Sequence, residues 1–370
     1  MRNKNADIMM NHIDEVPGLV EQLIAEKKDI TSDFVRLFQT HDIKRIYLSG
    51  SGSPSNACAV LKYAATKLLG IETTWSYPSL FNNHEGFNVG GKYRPEEMML
   101  ICPAETGRTK GSVIAARNAR QLGIPVVCTT LYPDGVLGRE CDVVIQKPSG
   151  LEVALPSTKG HSMGVFLLLL CFTEAGYATG NIGDVEYISH CEALTSLPAA
   201  LHSGRIQTEK WFYRYQKLVM NAPSYRFIAY GSNYGTAIEG ALKFLECHTR
   251  PSYGYEMEEF MHGPLRAVHP GDMVFFLATE DGPEKERMFQ LYEFTKQRTD
   301  ACVLVQSDTD DFFEPLSLRF AAGNHPLFSA VEYLVPIQVL SSKISSYLGF
   351  DMTVPSSPSV GKAMQTSFTD

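Results

Sequence analysis

The chain has 370 residues, a formal net charge of −8 and a sequence pI near 5.7. That length admits two domains, and 44% hydrophobic with 20% charged residues suits a packed interior. The acidic balance argues against nucleic acid or an anionic membrane as the main partner; a phosphorylated small molecule needs only a local nest of donors and stays possible. The opening MRNKNADIMMNHIDEVPG holds no apolar signal region, and the apolar run MGVFLLLLCF is too short to span a bilayer, so the expectation is a cytoplasmic protein without a membrane segment. The eight cysteines form no Cys-x-x-Cys pair and mostly sit in apolar runs, as buried thiols do.

In chain order, a helical opening is predicted over 6–39, broken near Pro17. RIYLSGSGSPSNACAVLKYAATKLLG then reads as a short apolar strand, a Gly/Ser turn and an amphipathic helix. EMMLICPAETGRTKGSVIAARNARQLG repeats that plan, IPVVCTT and DVVIQKP give two more buried strands, and a long helix is predicted from Pro156 to Tyr177. The second half echoes the first. YRFIAYGSNYGTAIEGALKFLE answers the first strand–turn–helix, with Gly231-Ser232 in the place of Gly52-Ser53; DMVFFLATEDG and ACVLVQS answer EMMLICPAETG and IPVVCTT. A tandem duplication follows, joined between Ile182 and Glu209 and written here as domains 1–195 and 196–370. Continuous apolar strands alternating with helices predict a parallel sheet covered on both faces, a three-layer αβα sandwich in each half. Ligands of such sheets sit at the carboxyl ends of the strands, against helix N-termini.

GSGSPS lacks the third glycine of a dinucleotide fingerprint, and no lysine follows it as a Walker A loop requires. What remains is either a hydroxyl-rich nest for a sugar or phosphate ester, or a plain tight turn with an N-cap serine. His84-Glu85 is not followed by the second histidine of a His-Glu-x-x-His pair, so no metal is assigned and no cofactor is expected.

The most informative stretch is EGALKFLE. On a helix, Glu239, Lys243 and Glu246 share one face, while Ile238, Ala241, Leu242 and Leu245 share the face a core would want. His262 follows in FMHGPLR, beside a Gly-Pro turn. One reading is a solvated face with a surface ion pair of about 0.3–0.5 kcal/mol. The other is an acid/base site, with a carboxylate base and a histidine that titrates near neutrality.

EGALKFLE with HGPL, EVALPSTKG, MMNHIDEVPG and the tail VPIQVLSSKISSYLGFDMTVPSSPSVGKAMQTS together resemble the sugar isomerase (SIS) domain family in its tandem form. The isomerase half of glucosamine-6-phosphate synthase and the fructosamine-phosphate deglycases are the members most alike. The resemblance implies an α/β protein of two tandem SIS domains, each flavodoxin-like. It also implies an enzyme that needs no cofactor and acts on a phosphorylated amino sugar or Amadori product, as a homodimer or larger homo-oligomer with shared active sites. It assigns catalysis to Glu246, His262, Lys243, Glu239 and Lys362, the last as a Schiff-base lysine, and substrate contacts to Gly52, Ser53, Ser55, Thr106, Ser157, Thr158 and Lys159. Two departures stand out. The family's serine-rich phosphate loop reads Cys102-Pro103-Ala104-Glu105-Thr106 here, so Arg108, Thr109 and Lys110 become candidate phosphate donors. Pro54 stands where the family has a phosphate-binding serine. No glutaminase domain precedes the unit in this sequence, and the expectation is a deglycase that releases hexose 6-phosphate and free amine. A deaminase/isomerase of the glucosamine-6-phosphate type is the alternative, and a non-catalytic sugar-phosphate sensor ranks below both.

Overall fold

The computed structural model describes residues 7–355 and 363–369. Helix α1 (Ile8–Ala25) runs straight through Pro17, and the break comes instead at Glu26, before α2 (Lys27–Thr40). A proline removes one helical N–H bond, a loss the flanking turns absorb here. The first half continues as β1 (Arg45–Ser49), α3 (Ser53–Leu69), β2 (Glu72–Ser76), the single turn α4 (Pro78–Leu80), β3 (Met98–Pro103), α5 (Lys110–Gln121), β4 (Val126–Thr130), β5 (Val143–Gln146) and α6 (Lys159–Ala178). Helix α7 (Asp184–Asn221) leads into β6 (Tyr225–Ala229), α8 (Asn233–His248), β7 (Ser252–Glu256), α9 (Met257–Met261), β8 (Met273–Ala278), α10 (Pro283–Thr295), β9 (Cys302–Ser307), β10 (Leu318–Phe320) and α11 (Ser329–Leu348).

There are two five-stranded parallel sheets, ordered β2-β1-β3-β4-β5 and β7-β6-β8-β9-β10. Counted from its own first strand, each sheet has the order 2-1-3-4-5. The strand order reverses beside β1 in one and beside β6 in the other, where a crevice opens at the carboxyl ends.

The chain forms two compact units. The first takes Leu19–Glu152, Lys159–Glu192 and Pro355–Asp370; the second takes Met1–Gly18, Val153–Thr158 and Ala193–Val354. They therefore depart from a single cut after residue 195 in four segments. Local bonds show why. Met9 Sδ lies 4.0 Å from Cys247 and 3.8 Å from Ser345, both of the second unit. At the other end, Thr109 and Ser367 form an antiparallel bridge inside the first unit.

In the first unit, α5 covers the sheet face bearing Leu100, Cys102, Val126 and Cys128, while α2 and α3 both pack on α6. Helix α6 is long and apolar enough to cross a bilayer, contrary to the expectation from the shorter run inside it, but 89% of that stretch is buried in the protein. In the second unit, α7, α8 and α11 cover one face (Phe227, Phe275, Val303) and α9 and α10 the other (Ile228, Phe276, Leu304). Buried strands with both faces covered explain the unbroken apolar runs of β3, β8 and β9.

Candidate active site

Helix α8 starts at the carboxyl end of β6 and lies close on its sheet. A Cβ on Gly240 would stand 3.0 Å from Ile337 and 3.1 Å from Phe227. Strand β7 passes closer still, since a Cβ on Gly254 would come within 2.6 Å of Ala237 O and Ile238 Cα. Between these contacts the charged row turns inward. Glu239 and Lys243 are fully buried, and only Glu246, with 37% of its side chain exposed, reaches solvent. Lys243 Nζ lies 3.5 Å from Glu239 and 2.5 Å from Glu246. The surface-pair reading is thereby corrected, and so is the expected apolar face: Ala241 is buried, but Ile238 and Leu242 are half-buried and Leu245 is 46% exposed. The reason is that α8 packs on α11 and β7 as well as on its sheet, with Ala237, Ala241 and Phe244 as its apolar contacts. Burial alone would lower the Lys243 pKa; the two carboxylates outweigh it and hold the ammonium above the usual lysine range.

His262 follows α9, whose N-cap Glu256 accepts the Glu259 N–H. Its own N–H donates to Glu259 O at 3.1 Å, and Gly263 then takes φ +141°, a turn that leaves the imidazole exposed. Among the described residues no hydrogen bond or ion pair joins His262 to Glu246. Its charged neighbour is Glu258, which Arg287 holds below the usual carboxylate range, with a smaller contribution from His262.

The first unit supplies the other group. Gly52, at φ +66°, precedes α3, and Pro54 occupies the helix's first turn. Ser53 is buried, and its carbonyl meets His161 Nδ1 at 3.1 Å. Ser55 is fully buried and accepts Trp75 Nε1 at 2.9 Å, so its hydroxyl lies out of reach of solvent. After β3, Glu105 O accepts Leu131 N–H at 2.9 Å and Gly107 O accepts Leu137 N–H at 3.2 Å, which pins half-buried Thr106 between two fixed carbonyls. Arg108 is exposed beside Tyr132. Thr109 caps α5 without a side-chain bond. The backbone here is already engaged: Lys110 N–H donates to Thr366 O and Phe368 N–H to Arg108 O. Lys159 opens α6 and is buried. Ser157 and Thr158 belong to the second unit, where Thr158 O accepts Gln338 Nε2 at 2.9 Å. Lys362 lies outside the described residues.

Two residues not singled out in the sequence, Lys147 and Glu152, complete this group. Lys147, at the end of β5, is buried, pairs with Glu105 and donates to Gly160 O at 3.1 Å. Burial pushes its ammonium below the usual lysine range, against the pull of Glu105. Glu152 accepts the Lys159 and Gly160 N–H groups at 3.2 and 2.9 Å, so a protein carboxylate already fills the anion position at the α6 N-terminus. A pocket of about 740 Å³ opens beside Lys147, lined also by Tyr132, Gln146 and Glu26. A lysine directly after an apolar strand was the signal available for Lys147. Among the described residues no cluster of His, Cys, Asp or Glu could hold a metal ion.

The family model that matches residues 219–336, from the end of α7 into α11, is that of the SIS domain. The isomerizing glutamine–fructose-6-phosphate aminotransferase of Bradyrhizobium diazoefficiens is 24% identical over 94% of this chain, and the chain spans 57% of that enzyme's length. Among solved structures, the C-terminal domain of the Francisella tularensis glucosamine-fructose-6-phosphate aminotransferase superposes with a TM-score of 0.83 at 19% identity, covering 92% of this chain and 96% of that one. Glucosamine-6-phosphate deaminase of Thermotoga maritima gives 0.66 at 20%, covering 90% and 96%. The matched residues include Glu239, Lys243, Glu246 and His262, and the likeness in fold extends over both sheets.

Proposed function

We propose that the chain is an enzyme of phosphorylated amino sugars, built from two tandem SIS domains, that moves a proton between carbons 1 and 2. The observation that carries this is the α8 row: a buried Glu239–Lys243 pair whose ammonium fixes one oxygen of solvent-facing Glu246. The second oxygen of that carboxylate is then placed to take a proton from a carbon acid. In the first reading the substrate is a fructosamine 6-phosphate. Glu246 removes a carbon-1 proton, and the enaminol is reprotonated at carbon 2. The resulting imine is split by water to hexose 6-phosphate and free amine, with His262 as proton donor. Substrate contacts are assigned to Gly52, Ser53, Thr106, Arg108, Thr109, Ser157, Thr158 and Lys159. The serine-poor loop at Cys102–Ala104 favours a substrate held differently from that of the aminotransferases.

The second reading, a deaminase or isomerase of an aminosugar phosphate, is favoured by the names of the relatives above. A coupled assay separates the two. Purified protein is offered fructoselysine 6-phosphate, fructose-asparagine 6-phosphate and glucosamine 6-phosphate, with hexose 6-phosphate, ketose phosphate and ammonia read separately. Hexose 6-phosphate with free amino acid is the expected outcome. Ammonia with ketose phosphate establishes the second reading, and no turnover of any of them overturns both.

A further inference from the structure

Lys27 begins α2 and reaches into a polar cluster in the first unit that the α8 site does not use. Its Nζ donates to Glu174 Oε1 and to the Tyr187 hydroxyl, each at 2.6 Å, and lies 3.5 Å from Cys191 Sγ. Tyr187 also donates to Glu174 at 2.7 Å. Six of the eight cysteines are buried; Cys141 and Cys191 are half-exposed. The Cys141 thiol is turned to Leu137 O, whereas Cys191 has an amine nitrogen at its sulfur. Glu174, against the same nitrogen, is a base in place.

We propose that Lys27 and Cys191 form an oxidative cross-link, with hydrogen peroxide as the oxidant. In the first step the Cys191 sulfur attacks peroxide, the O–O bond breaks, and a sulfenic acid and water form; sulfur gives up two electrons and peroxide takes them. In the second, Lys27 passes a proton to Glu174, and its nitrogen lone pair attacks the sulfur. The S–O bond breaks, hydroxide leaves as water with the second amine proton, and Glu174 releases its proton to solvent. One thiol, one ammonium and one peroxide thus give one N–S bond, two waters and a proton. The product is a sulfenamide that staples the start of α2 to α7, and a thiol reductant reopens it.

The test uses the full chain, treated with a series of peroxide concentrations, digested and analysed by mass spectrometry. A peptide pair joined through Lys27 and Cys191, lighter than the sum of its parts by two hydrogens, is expected. It should disappear with dithiothreitol and be missing from Cys191→Ser and Lys27→Met. Wild-type Tm should rise on oxidation and fall back on reduction, while Cys191→Ser, folded as judged by circular dichroism, shows no such reversible shift. Oxidation of Cys191 to sulfinic acid with the Lys27 peptide unmodified overturns the proposal. So does a Cys191 that stays reduced at peroxide levels that convert the exposed methionines.

Discussion

Lys243 is the residue on which the α8 site turns. It is buried between two carboxylates, one of them, Glu239, with no exposure at all. Removing one partner of a buried pair strands the other charge, a loss of about 3–5 kcal/mol. Lys243→Met should therefore lower the denaturation midpoint strongly. Glu239→Gln combined with Lys243→Met should recover part of it, because the stranded carboxylate is gone. A double variant as unstable as the sum of the two singles would show that the pair is not coupled. Glu246 faces solvent and should behave differently. Glu246→Gln should leave the denaturation midpoint within about 0.5 kcal/mol of wild type and lower kcat by roughly 10²–10⁴. Near-normal turnover would return Glu246 to a structural role. Spacing alone showed which residues share this face. It could not show that the face points inward, because a period of 3.6 is the same for a buried row and a solvated one.

Among the elements, those legible in the sequence are the ones buried on both faces. β3, β4, β8 and β9 are unbroken apolar runs and were placed from them. The strands missed were ETTWS, SYGYE and LRF, which are β2, β7 and β10 at the sheet edges, short, polar and partly exposed. β7 matters to the site because Gly254 lets α8 approach it. Gly254→Ala would place a methyl group 2.6 Å from the α8 backbone. Relief by a shift of α8 should cost about 1–3 kcal/mol and reduce kcat together with stability; an unchanged Tm would mean that the strand moves freely. Helix α11 carries a pH-dependent element. Glu332 is buried and accepts the N–H groups of Gly323 and Asn324, each at 3.1 Å. Burial nevertheless pushes its pKa up to about 7. The folded chain then keeps a proton that the unfolded chain loses near pH 4.5, so stability falls as pH rises between those values and stays lower above 7. The size of the fall is about 3 kcal/mol at most. Urea midpoints of wild type and Glu332→Gln between pH 5 and 8 should converge or cross as pH rises, and parallel curves would refute the shift.

At the scale of the whole molecule, no hydrogen bond or ion pair among the described residues joins His262 to Glu246. The shared active sites that the family resemblance implies would put it in the site of a second copy. Glu246→Gln and His262→Ala should then each be inactive alone and regain part of the activity when mixed under conditions that exchange subunits. Exchange without recovery would confine both residues to one chain or remove one from the reaction. The repeated strand–turn–helix plan was legible along the chain because loops after apolar strands are marked by Gly-Ser and Glu-x-Gly. The Glu105–Lys147 pair was not. Its partners stand 42 residues apart, and only the parallel pairing of β3 with β4 and β4 with β5 brings their ends together.

The division of the chain also orders events in time. Residues up to Gly18 belong with a unit whose remaining segments end at Val354. A ribosome adding about 5–20 residues per second leaves the start of α1 waiting roughly 20–70 s for its packing partners. Throughout that interval Met9, Met10, Ile13 and Val16, all buried in the finished fold, are an exposed apolar stripe on the nascent chain, while the first sheet can already close. These α1 residues are made long before the segments that protect them, which gives a chaperone a long opportunity to bind this helix.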